Sequence, residues 1–284
     1  RQVTGGIAYE GVWQGVGQWS MALQRTSYKR TQARVGWAPI EGRKSPWLYN
    51  AAAAVFLTRD LAAYASYTRG IEELGSAPGN AVNRDEAVPA ELTLQVDAGL
   101  RYQITPDLSL VAGLFQIDKP YYAIDQDLLF RQLGTVRHQG VELSLAGSVT
   151  DSLTLVAGAV FLQPRIAETS NGGARTELTA VGPIPRLIRV NIQYRPAAVQ
   201  GLALDAKVES VSSRYADVSN SRRLAGAITL DAGVRYTRTI SDVPVRFRLQ
   251  GRNLTNIRSF TPNASTQIRP FEARRFELSV AADF

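Results

Sequence analysis

From Leu92 to Phe284 the chain is written in segments of about ten residues in which apolar and polar side chains alternate, each bounded by a short turn on one side and a longer polar loop on the other. Leu92, Leu94, Val96, Ala98, Leu100, Tyr102 and Ile104 interleave with Thr93, Gln95, Asp97, Gly99, Arg101 and Gln103. Successive strand side chains point to opposite faces, so this segment has one oily face and one wet one. The same parity returns in Ile228, Leu230, Ala232, Val234 and Tyr236, and in Phe276, Leu278, Val280, Ala282 and Phe284. A slip of one residue would turn every charge onto the oily face, so the pattern fixes strand register. An arginine facing lipid at mid-bilayer costs about 2–4 kcal/mol. The pattern therefore predicts an all-β chain: an antiparallel transmembrane β-barrel wall, apolar outside and polar inside.

Composition alone would hide this. The 284 residues are 45% hydrophobic and 20% charged, with a mean hydropathy of -0.12, values that an ordinary water-soluble protein shares. Alternation conceals the apolar residues: the longest apolar run, Ala51 to Leu57, is strand-sized and far below the roughly 18 residues of a membrane helix. Absence of cysteine excludes thiolate zinc sites, thiol nucleophiles and disulfide scaffolds. The net charge of +7 does not mark a nucleic-acid binder, because Arg101, Arg235, Arg246, Arg248, Arg252 and Arg275 occupy the polar positions of alternating strands and form no patch. The chain opens at Arg1 with no export signal. For a lipid-facing wall this leads to the expectation that residues 1–284 are the C-terminal part of a longer precursor.

Parity and turn chemistry together place about thirteen strands, near 5–14, 19–29, 47–57, 61–69, 91–104, 108–118, 135–149, 153–164, 185–195, 202–212, 224–238, 244–254 and 271–284. Short turns such as Thr58-Arg59-Asp60, Thr105-Pro106-Asp107 and Thr150-Asp151-Ser152 alternate with long connections at 31–46, 70–90, 119–134, 166–184, 213–223 and 255–270. In bacterial barrels short turns face the periplasm and long loops the exterior, which orients every strand. Tyr102, Tyr194, Tyr236 and Phe284 then fall at periplasmic strand ends, and Trp13 and Trp19 flank a short turn, as an interfacial aromatic girdle requires. Single-chain bacterial barrels close with an even number of strands, so about thirteen form an incomplete wall.

Catalytic chemistry finds little support. His138 is the only histidine and sits on the polar parity of its strand, where a lumen hydrogen bond accounts for it. No G-x-S-x-G elbow is present. The carboxylates Asp97, Glu142, Asp205, Glu209, Asp231 and Glu277 are spread one or two to a strand among arginines, a charge ladder that braces a lumen wall. The sequence reads as that of a non-enzyme with no metal site and no bound cofactor.

Several stretches resemble the TonB-dependent outer-membrane receptors, and among them the ferric-siderophore group. These are Tyr64-Ala65-Ser66-Tyr67-Thr68-Arg69-Gly70, Phe115-Gln116-Ile117-Asp118-Lys119-Pro120, Arg137-His138-Gln139-Gly140-Val141-Glu142-Leu143 and Asn253-Leu254-Thr255-Asn256 before a final strand ending in Phe. The resemblance implies a 22-stranded barrel around an N-terminal plug, with this chain supplying about the last thirteen strands and lacking the plug and the energy-coupling box. It also implies residence in the Gram-negative outer membrane among lipid and lipopolysaccharide, capture of a ferric siderophore, and import driven by TonB through the plug. Iron would arrive chelated and not as a protein-ligated cofactor. Loop-borne aromatic and basic residues suit a planar anionic chelate: Trp47, Tyr49, Tyr121, Tyr122, Arg131, Arg175, Tyr215, Arg222 and Arg223 are the candidate contacts. Rival readings are a passive porin, a family member carrying haem, cobalamin or a sugar, and a soluble β-sandwich adhesin or lectin; a barrel-embedded hydrolase stands furthest off.

Overall fold

The computed structural model describes residues 1–32, 40–73, 75–88, 90–125, 127–168, 177–217, 220–264 and 267–282. Among these there are strands and no helix. The first ten strands are β1 (Gln2–Trp13), β2 (Gly17–Gln32), β3 (Ile40–Lys44), β4 (Trp47–Phe56), β5 (Leu61–Glu72), β6 (Glu91–Thr105), β7 (Leu108–Ile124), β8 (Phe130–Thr150), β9 (Leu153–Glu168) and β10 (Glu177–Thr179). Then follow β11 (Arg186–Tyr194), β12 (Leu202–Val211), β13 (Arg214–Tyr215), β14 (Arg223–Leu224), β15 (Ala227–Ile240), β16 (Val243–Arg252), β17 (Phe260–Ala264), β18 (Gln267–Pro270) and β19 (Arg275–Ala282).

Thirteen of them form one sheet path in the order β1-β2-β4-β5-β6-β7-β8-β9-β11-β12-β15-β16-β19, with β3 added to β2 and β10 to β9. The described sheet does not close on itself: β1 and β19 are its two ends. The thirteen sequence-derived strands correspond one to one with this path. The differences lie at the loop ends. β7 runs on to Ile124 and β8 begins at Phe130, inside the connection expected at 119–134, and β3, β10 and the hairpins β13–β14 and β17–β18 occupy stretches expected to be loops. Beyond the bilayer, backbone N–H and C=O groups still need partners, and continued pairing supplies them. At the other end of the chain, the expected strand 271–284 is shorter, covering Arg275–Ala282; Phe284 lies outside the described residues.

The chain divides into two compact units. The first comprises Arg1–Leu100, Gly113–Gln139 and Gln163–Leu178, the second Arg101–Ala112, Gly140–Leu162 and Thr179–Phe284. In the first, β1 and β2 pair Ile7 with Leu23, Tyr9 with Met21 and Trp13 with Gly17, and β2 and β4 pair Met21 with Ala51 and Gly17 with Val55. Directly opposed residues share a face, so Val3, Ile7, Tyr9, Trp13, Met21, Leu23 and Val55 make one apolar surface, and all seven are exposed. The other face carries Glu10, Gln18, Ser20, Gln24, Thr26 and Asn50. In the second unit Val234, Leu249 and Leu278 stand in one row across β15, β16 and β19, again exposed. A water-facing sheet would bury this side; here it is the outer one. Tyr102, Tyr194, Tyr236 and Trp13 are exposed on it, in keeping with a girdle.

Turn chemistry follows the sequence closely. The Thr58 hydroxyl accepts the backbone N–H of Asp60 at 3.2 Å and of Leu61 at 3.1 Å, closing the turn before β5. Ser241 and Asp242, both at positive φ, join β15 to β16 in two residues, the geometry that matches strand twist.

The Asn253-Leu254-Thr255-Asn256 stretch is a backbone device. Asn253 and Asn256 both have positive φ. The buried Asn253 amide donates to the carbonyls of Ile257 at 3.0 Å and Glu272 at 2.9 Å, and its Oδ1 accepts the Ile257 N–H at 3.0 Å. Its own N–H reaches Asp231 Oδ1 at 2.8 Å, tying the end of β16 back to β15. Asparagine tolerates the left-handed backbone and supplies donor and acceptor together. Asn253→Ala should destabilise the folded barrel by about 1–3 kcal/mol, since the Ile257 and Glu272 carbonyls and the Ile257 N–H lose their partner. Urea unfolding of the full-length receptor in lipid vesicles measures this.

Candidate functional site

Lumen wall and loop bases are the two surfaces that a barrel offers to a passing solute. In the second unit the lumen face carries three polar rows below an apolar one of Leu187, Val211 and Ala227. Arg189, Glu209 and Thr229 stand opposite one another, then Asn191, Lys207 and Asp231, then Gln193, Asp205, Gly233, Gln250 and Glu277. Arg189 Nε donates to Glu209 Oε2 at 2.7 Å, and Lys207 Nζ is 3.5 Å from the same oxygen. Charges of both signs thus alternate along this polar face. Of the sequence-derived carboxylates, Glu209 pairs with Arg189, and Glu277 with Arg252 and Arg275.

In the first unit two of the resemblance motifs are locked together: Arg137 forks onto Asp118, Nε to Oδ1 at 2.7 Å and Nη2 to Oδ2 at 3.2 Å. A bidentate guanidinium–carboxylate pair fixes orientation as well as charge.

Above it the long connection after β5 folds as a small body of its own. Ala77, Ala81, Ala87, Val88 and Ala90 are buried, Ala90 to 1% exposure, so this loop has a small packed interior of its own. Asn83 clasps the start of β8, donating to the Phe130 carbonyl at 3.0 Å and accepting the Phe130 N–H at 2.8 Å, and the Val82 N–H reaches the Leu128 carbonyl at 2.8 Å. Beneath lies a charged knot: the Tyr122 hydroxyl donates to Glu91 Oε1 at 2.8 Å and Lys44 Nζ to Glu91 Oε2 at 2.6 Å. Glu91 is buried, and two donors compensate its desolvation.

The sequence-derived contacts fall into separate groups. Tyr121 and Tyr122 lie on the upward extension of β7, and Tyr122 packs on Phe130 with ring centroids 5.8 Å apart. Arg131 pairs with Asp125, which also accepts the Leu129 N–H at 2.9 Å and so holds the turn between β7 and β8; the Arg131 side chain remains 57% exposed. In the second unit Tyr215 and Arg223 face each other on β13 and β14, the guanidinium carbon 5.8 Å from the ring centroid. Arg222 follows a loop capped by Asp217, whose Oδ1 accepts the Arg222 N–H at 2.8 Å. Close by, the buried Arg214 guanidinium donates to Thr261 Oγ1 at 2.7 Å, and burial lowers its pKa. Arg175 lies outside the described residues.

Trp47 and Tyr49 belong elsewhere. Register pairs Trp47 with Arg25 and Tyr49 with Leu23 and Arg69, on the same face as Met21 and Val55. They stand on the oily face of these strands, apart from the polar lumen side. Sequence reading also missed Glu91, Lys44 and Asn83: a charge at a strand entrance and an asparagine in a polar loop look solvated until the loop is seen to fold over them.

Comparison with known proteins matches this architecture. The family model described as TonB dependent receptor-like, beta-barrel covers residues 2–256. The ferrichrome receptor FcuA of Yersinia enterocolitica is 29% identical over 175 residues, 61% of this chain and 23% of that protein. An uncharacterized TonB-dependent receptor of Haemophilus influenzae is 22% identical over 272 residues, 93% of this chain and 74% of its own length. The crystal structure of BauA, the ferric preacinetobactin receptor of Acinetobacter baumannii, superposes with a TM-score of 0.83 at 27% identity, over all of this chain and 43% of that one. The chain thus spans less than half the length of FcuA and of BauA. With its oily outer face, charged lumen and folded loops, the chain belongs to the TonB-dependent receptor β-barrel family of the Gram-negative outer membrane.

Proposed function

We propose that the chain forms part of the wall and cell-surface mouth of a receptor that captures a ferric siderophore and imports it with energy delivered by TonB. Residues 1–284 would be the C-terminal portion of that barrel, with a plug and coupling box supplied by the rest of the protein. The observation that carries this reading is membership of a family whose similar members include receptors for ferrichrome and ferric preacinetobactin. The loop chemistry agrees with it: Tyr121, Arg131, Tyr215, Arg222 and Arg223 combine π faces with guanidinium forks, the groups that bind planar anionic chelates. Tyr122 would act from below by holding the loop base, since its hydroxyl is already committed to Glu91. Arg175 remains a candidate contact from the loop after β9. Iron would travel as cargo inside its chelate, with no protein-ligated cofactor, and the barrel itself would carry out no bond chemistry.

The test is uptake of labelled ferric chelates by iron-starved cells with and without the full-length gene. One chelate class should lose uptake in the deletion strain and in a strain lacking TonB. Equal uptake by all strains across a broad panel would overturn the proposal.

A further inference from the structure

The lumen face of the second unit changes character toward its periplasmic end. Higher up its charges are matched: ion pairs join Arg189 and Lys207 to Glu209, and Arg252 and Arg275 to Glu277. Lower down, the same parity brings Arg235 directly opposite Arg248 and Thr237 opposite Arg246 across β15 and β16. Like charges placed directly opposite one another destabilise a sheet. Among the described residues none of these three arginines has a carboxylate partner, and neither has Arg195, the residue after β11. Asp205, one row higher, stands against Gly233 instead, where a built Cβ would meet its Oδ2 at 2.7 Å.

Three of the four line one open groove. Arg195, Arg235 and Arg246 surround about 670 Å³ together with Asp151, Ser152 and Thr237. Small-molecule sites have volumes of about 300–1,000 Å³, so the space suits a whole chelate and exceeds what a single side-chain carboxylate needs. Depth puts it at the way out: Arg246 lies three residues beyond Val243, roughly 8 Å up the wall at barrel tilt. Arg248 stands just above, beside Asp205 and Lys207. At this end four guanidiniums face two carboxylates, Asp151 and Asp205, and a low-dielectric wall focuses the surplus positive potential. A sheet that keeps an opposed pair of like charges breaks a rule of local stability, and such breaks belong to functional sites.

We propose that this groove is an anion site on the cargo's route into the periplasm, and that the imported chelate is one with a net negative charge. The inference rests on the import reading above and narrows its substrate class. Carboxylate or catecholate oxygens at the rim of the chelate accept the guanidinium forks of Arg195, Arg235 and Arg246, and the Ser152 and Thr237 hydroxyls donate between them. A neutral trihydroxamate chelate has no charge to offer and gains nothing from the groove. Because the charges higher up the wall are paired among themselves, the pull on an anion increases in the direction of travel.

The experiment uses the full-length receptor in detergent, with Thr237→Cys as a reporter thiol in the groove. A negatively charged sulfonate thiol reagent should react about tenfold faster than an ammonium reagent of the same size, and Arg235→Gln/Arg246→Gln should bring the two rates within about twofold. A ferric tricatecholate, which is a trianion, should slow the labelling about fivefold or more, and a neutral ferric trihydroxamate at the same concentration should leave it unchanged. Unboiled gel mobility reports folding, and if the glutamine variant fails to fold, the reagent and chelate comparisons on Thr237→Cys alone still decide. Equal rates for the two reagents, equal protection by the two chelates, or no protection by the anion would each overturn the site. So would a thiol that neither reagent reaches, because the plug then fills the groove. Uptake by iron-starved cells separates this inference from the wider reading: loss of import for every chelate sinks the wider reading, whereas TonB-dependent import of a neutral chelate alone sinks only the anion site.

Discussion

Leu249→Arg should destabilise the full-length receptor in lipid vesicles by about 2–4 kcal/mol, seen as a lower urea midpoint. Leu249 lies on β16 six residues beyond Val243, roughly 15 Å up the apolar band at barrel tilt, which puts it near the bilayer centre. Its neighbours across the strands are Val234 and Leu278, so a guanidinium there has only hydrocarbon around it. In a water-facing sheet the same change, at a leucine already 50% exposed, would stay within about 0.5 kcal/mol. The adjacent Gln250→Arg is the control, since Gln250 pairs with Gly233 and Glu277 on the lumen face and should tolerate the charge. Equal effects at positions 249 and 250 would remove the basis for an oily exterior.

A second large effect is expected at Gly147. This residue of β8 has φ of 144°, and a Cβ built there would lie 1.9 Å from the Asp107 carbonyl oxygen and 2.7 Å from the Leu108 Cα. Both obstacles are backbone, so no side-chain rotation relieves them. The next residue, Ser148, donates its N–H to that same Asp107 carbonyl at 2.9 Å. Gly147→Ala must therefore push the hairpin between β6 and β7 away from β8 or abandon the hydrogen bond. Overpacking and the disfavoured φ together should cost about 3–5 kcal/mol. Vesicle refolding followed by unboiled gel mobility should show a clear fall in the folded fraction. A normal folded yield would mean that the close approach of these two hairpins is not needed.

Alternation made the wall legible because it is a local property: two residues of chain decide one face. Strands such as β6, β15 and β19 could be read with their register and their outward side. β4 could not be read in the same way, since Ala51 to Ala54 offer no contrast between faces. The side occupied by Trp47 and Tyr49 became visible only from their partners Arg25, Leu23 and Arg69. The extension of β7 escaped notice because Pro120 carries a turn signal that the added pairing overrides, while the turn itself is displaced to Asp125 and the residues after it. Glu91, Lys44 and Tyr122 are far apart in sequence, and only tertiary folding makes one knot of them.

The alanine-rich interior of the loop after β5 bears on how such a mouth can diversify. Alanine gives up no rotamer freedom when packed, so Ala77, Ala81, Ala87 and Ala90 order the loop at low entropic cost and leave exposed side chains such as Val82 outside the packed interior. Such outer side chains can be rewritten while the scaffold beneath them stays the same, much as hypervariable segments change on a constant antibody domain.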